Sequence, residues 1–217
     1  MSSRTGLNRF DMVYYINLEH RKDRLEHISN QLAMTNIDAD KIVRIDAVYI
    51  PYLGALGCSK SHVKAMEAFL QTPDTVQNCI IFEDDFKFNI PMDEVNALVD
   101  RFFNEVKEYD VVMLAYNLNE SRPLEHDFLI KIDNAYSTSG YCVNKKFAKT
   151  LLDNYREGVQ KMEEHVIRTH QSNCAFLIDV YFEKLVRTSK WYGFTPKIGL
   201  QVASYSDIEK RHVDYGV

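Results

Sequence analysis

Apolar residues along the chain come in short runs separated by stretches of helical period, an alternation that predicts an α/β domain. Met12-Val13-Tyr14-Tyr15-Ile16-Asn17-Leu18 is β-branched and aromatic, and apolar until Asn17, as expected of a strand covered on both faces. A helix follows, with Leu25, Ile28 and Leu32 on one side. Residues 43–47 read as a second short strand. Residues 54–70 open in a loop and become a helix with Val63, Met66, Phe69 and Leu70 inward. Cys79-Ile80-Ile81-Phe82 is the next strand, Pro91 breaks the chain, and Val95, Leu98, Val99, Phe102 and Val106 mark another helix. Residues 110–114, 128–132 and 136–143 read as strands. Asn144 is placed to cap a helix carrying Phe147, Leu151 and Leu152. A separate, more polar helix is expected around 159–166. An apolar run, 174–178, leads into Asp179 and a further amphipathic helix, before an aromatic and polar tail from Trp191 onward.

Composition narrows the class. The chain has 217 residues, which suits one domain, and 46% hydrophobic against 26% charged residues is an ordinary globular balance. A net charge of -5 argues against a general nucleic-acid or anionic-membrane surface, which needs excess Lys and Arg. The N-terminus has no apolar stretch of signal-peptide length, and no run approaches the ~18 apolar residues of a membrane span. Cys58, Cys79, Cys142 and Cys174 form no CxxC pair and read as reduced thiols. The expected compartment is the cytoplasm, the host cytosol for a viral protein.

The most informative chemistry is Ile80-Ile81-Phe82-Glu83-Asp84-Asp85-Phe86, where three adjacent carboxylates end an apolar strand. Each desolvated carboxylate costs several kcal/mol unless a positive charge compensates it. In open α/β sheets the carboxyl ends of the strands face the ligand crevice, and hard divalent cations take carboxylate oxygens. Strand alternation would send Glu83 and Asp85 to one side and Asp84 to the other. Two carboxylates so placed can hold a metal that also binds a diphosphate. The alternative is a solvated acidic turn. An EF-hand is excluded, because its twelve-residue loop is absent.

Four segments together resemble one family. They are Tyr15-Ile16-Asn17-Leu18 with Arg21 and Asp23-Arg24, then Gly54-Ala55-Leu56-Gly57-Cys58-Ser59-Lys60-Ser61-His62, then Phe82-Glu83-Asp84-Asp85, and the tail from Gln201 through Tyr205 to Ser206-Asp207-Ile208. In this order they are similar to glycosyltransferase family 25, which includes lipooligosaccharide and collagen galactosyltransferases. The resemblance spans roughly residues 11–210. It implies a GT-A type fold with a single mixed sheet flanked by helices. It also implies a nucleotide-sugar-binding half (about 11–115) and an acceptor-binding half (about 116–210), a UDP-sugar donor, Mn²⁺ (or Mg²⁺), and inverting transfer of a hexose to a glycan or protein hydroxyl.

On that resemblance, Asp85 ligates the metal that bridges the donor phosphates, Glu83 binds metal or ribose, and Asp84 contributes to binding the donor or turns away to cap backbone groups. Ile16, Asn17 and Leu18 would read the base, while Arg44 and Ala47 would frame the nucleoside. Arg21 or Arg24 reaches phosphate or pairs with an acidic neighbour, an Asp23–Arg24 surface pair included. Gly57, Ser61 and His62 sit where a loop enters a helix and could offer free amides to phosphate or sugar; His62 reads equally as a structural histidine. Asp179 is the candidate base that takes the acceptor proton, or else a helix cap. His212 is a loose candidate for a last metal ligand. Trp191, Tyr192 and Tyr205 are candidates for sugar stacking or ordinary core. Acceptor choice would lie in a loop over residues 117–127. Two competing readings remain: a catalytically inactive relative that binds glycans or partners, and a metal-dependent nucleotidyl- or phosphotransferase. The second lacks a glycine-rich phosphate loop after the first strand.

Overall fold

The computed structural model describes residues 4–206 and 211–213, without the side chains of residues 204–206, 212 and 213. The chain runs β1 (Met12–Asn17), α1 (Lys22–Ala33), β2 (Ile42–Asp46), α2 (Gly54–Leu70), β3 (Asn78–Glu83), β4 (Phe86–Phe88) and α3 (Met92–Glu105). It continues through β5 (Val111–Pro123), β6 (Leu129–Asn144), α4 (Lys145–Thr169), α5 (Ile178–Tyr181), α6 (Glu183–Val186), β7 (Trp191–Phe194), β8 (Gly199–Gln201), β9 (Ser204–Ser206) and β10 (Arg211–Val213). Six strands form one mixed sheet in the order β2-β1-β3-β6-β5-β7, with β1 parallel to β2 and β3, and β6 antiparallel to β3 and β5.

Strand alternation divides the core into two layers. Tyr14, Ile16, Cys79, Ile81, Val111 and Met113 join Met66 and Phe69 of α2 and Leu151 and Tyr155 of α4 on one face. Val13, Ile80, Phe82, Val112 and Leu114 join Ile28 and Leu32 of α1 and Val95, Val99 and Phe102 of α3 on the other. Helices thus cover both faces of the sheet, which explains why the central strands are apolar throughout. The N-cap at Asn144 forms as expected, its side chain accepting the Lys146 N–H at 3.0 Å.

Three expectations change. The loop ends before Gly54, where helix α2 already begins, so Gly57, Ser61 and His62 lie inside the helix. The Gly57 N–H is already bonded to the Leu53 carbonyl at 3.1 Å and is not a free phosphate donor. Residues 117–123 are strand rather than loop: β5 and β6 form a ribbon with register shifts at four places, and Leu129–Lys131 of β6 also pair with β7. The two helices expected after Asn144 are one helix of 25 residues. It runs through Gly158, where a Cβ would come within 2.9 Å of the Tyr181 ring. That glycine serves a close approach of α5, not a break.

Candidate active site

Because β1, β2 and β3 are parallel, Asn17, Asp46 and Glu83 end at the same sheet edge. Residues 137–139 of β6, just before the Phe82–Gly140 pairing, and Asn117 of β5 reach that edge from the neighbouring strands. A cavity of about 220 Å³ opens there, lined by Ala55, Cys58, Glu83, Asn117, Ser137, Thr138, Leu177, Ile178, Asp179 and Gln201.

The three acids do not alternate as a continuing strand would make them. β3 stops at Glu83, and Asp84 and Asp85 form a tight turn into β4. Asp84 and Asp85 therefore share a partner: Arg24 Nη1 lies 2.9 Å from Asp84 Oδ1 and 3.0 Å from Asp85 Oδ2. Asn17 Nδ2 adds a bond to Asp84 Oδ2 at 2.8 Å, and Gln201 Nε2 one to Asp85 Oδ2 at 3.1 Å. Glu83 turns elsewhere, to His62 Nε2 at 3.2 Å and to the Thr138 hydroxyl. The expected pairing of Glu83 with Asp85 on one side is thus replaced by Asp84 with Asp85.

Electrostatics follow from this division. Burial raises the Asp85 carboxyl, with the Glu83 charge adding to it, to about 7. Burial also raises Asp84, in spite of Arg24 and Asn17. Burial works upward on Glu83 too, but the His62 ring and the Thr138 hydroxyl outweigh it, and its pKa is lowered. At the turn itself, Asp84 and Asp85 share the single Arg24 guanidinium. Asp85 Oδ1 is buried with no hydrogen-bond partner. Two neighbouring carboxyl groups that share one counter-ion, one of them with an unpartnered buried oxygen, fit a hard divalent cation.

Elsewhere the candidates are engaged in holding the edge together. Arg21 grips Asp23 with two nitrogens, at 3.0 and 2.8 Å, and holds that carboxyl down at about 2. Asp23 therefore pairs with Arg21, while Arg24 crosses to the acidic turn. Arg44 pairs with Asp46 at 2.7 Å and touches Asn17 Oδ1 at 3.2 Å. The Ala47 N–H donates to the Asn17 carbonyl. Asn17 is buried beneath these contacts, Ile16 is a core residue, and Leu18 is half-buried just beyond the strand.

Gly57 and Ser61 act as packing and hydrogen-bonding residues. A Cβ on Gly57 would meet the Val48 carbonyl oxygen at 2.4 Å. The Ser61 hydroxyl donates to the Gly57 carbonyl and accepts the Val48 N–H, both within 2.8 Å. His62 is fully buried, with Nδ1 2.8 Å from the Tyr141 hydroxyl.

Asp179 lies in the first turn of α5, not at its cap, and its Oδ2 accepts the Ser137 N–H at 3.1 Å. Burial raises its pKa above the ordinary carboxylate range. Ser137 has φ +92°, a left-handed backbone that a non-glycine residue adopts at a cost of about 1–3 kcal/mol. That strain aims its N–H at Asp179.

Trp191 is core, packed on Phe182 with ring centroids 4.9 Å apart. Tyr192 lines a different cavity with Lys107 and His126. The side chains of Tyr205 and His212 lie outside the described residues. From the sequence, Ser137 and Thr138 have no site role, Asn117 falls only in the acceptor-choice segment, and Cys58 stands in the Gly54–His62 segment without a ligand role. Cys58 carries a readable signal, four residues before His62 on one helix, whereas the strand residues carry none.

A family model described as glycosyltransferase family 25 (LPS biosynthesis protein) matches residues 52–166, more than half of the chain. The span holds the Gly54–His62 segment and the acidic turn; the first-strand segment and the tail fall outside it. No curated protein sequence matches the chain. Among solved structures it is similar to A197 from STIV (13% identity, TM-score 0.47, covering 95% of this chain and 96% of that one). It is also similar to mouse xyloside xylosyltransferase 1 (10%, 0.42, 89% and 84%). A third is a glycosyltransferase involved in glycosylation of the major capsid of PBCV-1 (9%, 0.40, 92% and 96%). The single mixed sheet flanked by helices is the architecture that the sequence resemblance implies. On the family match, this chain belongs to glycosyltransferase family 25 and is a transferase of glycosyl groups.

Proposed function

We propose that the protein transfers a hexose, galactose or glucose, from a UDP-sugar to a hydroxyl of a glycan or protein, with inversion and with a divalent cation. The observation that carries this reading is the buried acidic turn, where Asp84 and Asp85 share Arg24 and Asp85 Oδ1 has no hydrogen-bond partner, joined through Gln201 to the cavity that Asp179 lines. Asp85, with Asp84 beside it, would hold Mn²⁺ or Mg²⁺. When bound, that ion supplies Lewis-acid neutralisation of charge on the departing diphosphate.

The remaining work belongs to the chain's own residues. Arg24 and Gln201 fix the Asp85 carboxylate in one orientation. Asn17 and Arg44 brace the carboxyl ends of β1 and β2, beside which the nucleoside would lie. Asp179, with its pKa raised by burial, is suited to accept the proton of an acceptor hydroxyl entering the cavity. The Ser137 N–H holds Asp179 Oδ2, leaving Oδ1 for that proton.

Calorimetry with UDP, with and without Mn²⁺, tests the donor site. Metal-dependent heat is expected, and Asp85→Asn should weaken binding by more than about tenfold, the loss already typical of removing an outer-shell partner. Absence of heat in both conditions counts against the reading. With a hydrolysable UDP-sugar, kcat/KM should rise with pH through an apparent pKa above the ordinary carboxylate range. That limb should vanish in Asp179→Asn; an unchanged profile removes Asp179 from the role of base.

A further inference from the structure

A second group of ligating atoms lies apart from the acidic turn. Cys58 and His62 are four residues apart on α2 and so share one helix face. The end of β3 brings Glu83 against them. One sulfur, one ring nitrogen and one carboxylate oxygen all lie within 4.8 Å of one another. Ligands of a tetrahedral cation with bonds near 2.0–2.3 Å sit roughly 3.5 Å apart, so small side-chain rotations close the set.

We propose that Cys58, His62 and Glu83 form a binding site for a borderline divalent cation of the zinc class, separate from the all-oxygen site at Asp84 and Asp85.

Three features of the surroundings support it. The first is the outer shell. Tyr141 holds Nδ1 of His62 at 2.8 Å, which leaves Nε2 as the nitrogen aimed at the group, and the Thr138 hydroxyl steadies the Glu83 carboxylate. Ligating histidines and carboxylates are ordinarily fixed by partners of this kind. The second is charge. A thiolate and a carboxylate neutralise a divalent ion, so the loaded cluster carries no net charge into its buried setting. The third is access. Cys58 and Glu83 both line the cavity of about 220 Å³, so a fourth coordination position would open toward it. Three protein ligands and one open position is the pattern of a reactive rather than a closed structural site. Sulfur and imidazole donors select zinc or cobalt, while carboxylates alone suit manganese or magnesium. The two sites would therefore load with different ions.

Cobalt is the probe. The exposed thiol Cys174 is first replaced by serine, so that it cannot bind metal adventitiously. Titrating that Cys174→Ser protein with Co²⁺ should produce a thiolate-to-cobalt charge-transfer band that saturates at one equivalent, and Zn²⁺ should then abolish it by displacement. Adding Cys58→Ser should remove the band; adding Asp85→Asn should leave it, which separates this site from the proposed donor site. Should Cys58→Ser fold poorly, the native Cys58 can be followed instead, by mapping its alkylation with iodoacetamide. Saturating Zn²⁺ should slow that reaction at least tenfold. Cobalt binding with no charge-transfer band, a band that survives Cys58→Ser, or alkylation indifferent to zinc would each overturn the proposal.

Discussion

Replacing Arg24 with methionine should destabilise the protein more than any other single removal of a positive charge at this sheet edge. The side chain is 16% exposed, and its partners are more buried still, at 9% for Asp84 and 6% for Asp85. Methionine keeps most of the length and apolar stem and deletes the charge, leaving two carboxylates without their shared counter-ion. Breaking one partner of a buried pair costs about 3–5 kcal/mol; the remaining exposure of Arg24 points to the lower end, about 3 kcal/mol. In a chain of this size each kcal/mol lowers Tm by about 2–4 °C, so a fall of about 6–12 °C is expected. Arg44 supplies the contrast: its pair with Asp46 is 30% and 73% exposed, and Arg44→Met should cost less than about 1 kcal/mol. Urea unfolding at pH 7 in chelator, with both variants beside wild type, measures the difference. If Arg24→Met lost less than about 1 kcal/mol, the acidic turn would not depend on Arg24 and the two buried ion pairs would not carry the stability assigned to them.

Further outcomes follow from single contacts. Gly57→Ala places a Cβ 2.4 Å from a backbone carbonyl that cannot rotate aside, so a loss of about 1–3 kcal/mol is expected by urea unfolding, against helix propensity, which favours alanine. Asn144→Ala removes the bond to the Lys146 N–H at the start of α4 and should cost about 1 kcal/mol in the same assay. Asp179 has a raised folded-state pKa, so the folded protein binds the proton more tightly than the unfolded chain, and stability falls as pH rises through the window between the two values. Asp179→Asn should therefore be the more stable protein at pH 7, with the gap narrowing toward about pH 4; a less stable variant at pH 7 would contradict the assigned burial cost.

What could be read along the chain depended on whether one residue type answered one local demand. The buried strands could be read because burial on both faces requires unbroken apolar runs, and the Asn144 cap because a side-chain oxygen two residues from an amide is a local geometry. The ribbon of β5 and β6 could not. Its outer part, Leu118 to Pro123, is exposed and mostly polar, and backbone pairing with β6 holds it there rather than an apolar face.

The acidic run shows the same limit at the site itself. Three adjacent carboxylates after an apolar strand announce a site, but their division depends on where the strand stops. Alternation would have continued had β3 run one residue further. The turn at Asp84 instead delivers two acids to Arg24, sixty residues away in sequence, and leaves the third to His62. Which carboxylates can serve one cation is thus decided by a turn and by a distant guanidinium. Neither is expressed in the spacing of the acids, and so the oxygen pair at Asp84 and Asp85 and the mixed group at Cys58, His62 and Glu83 become distinct only once the sheet edge is assembled.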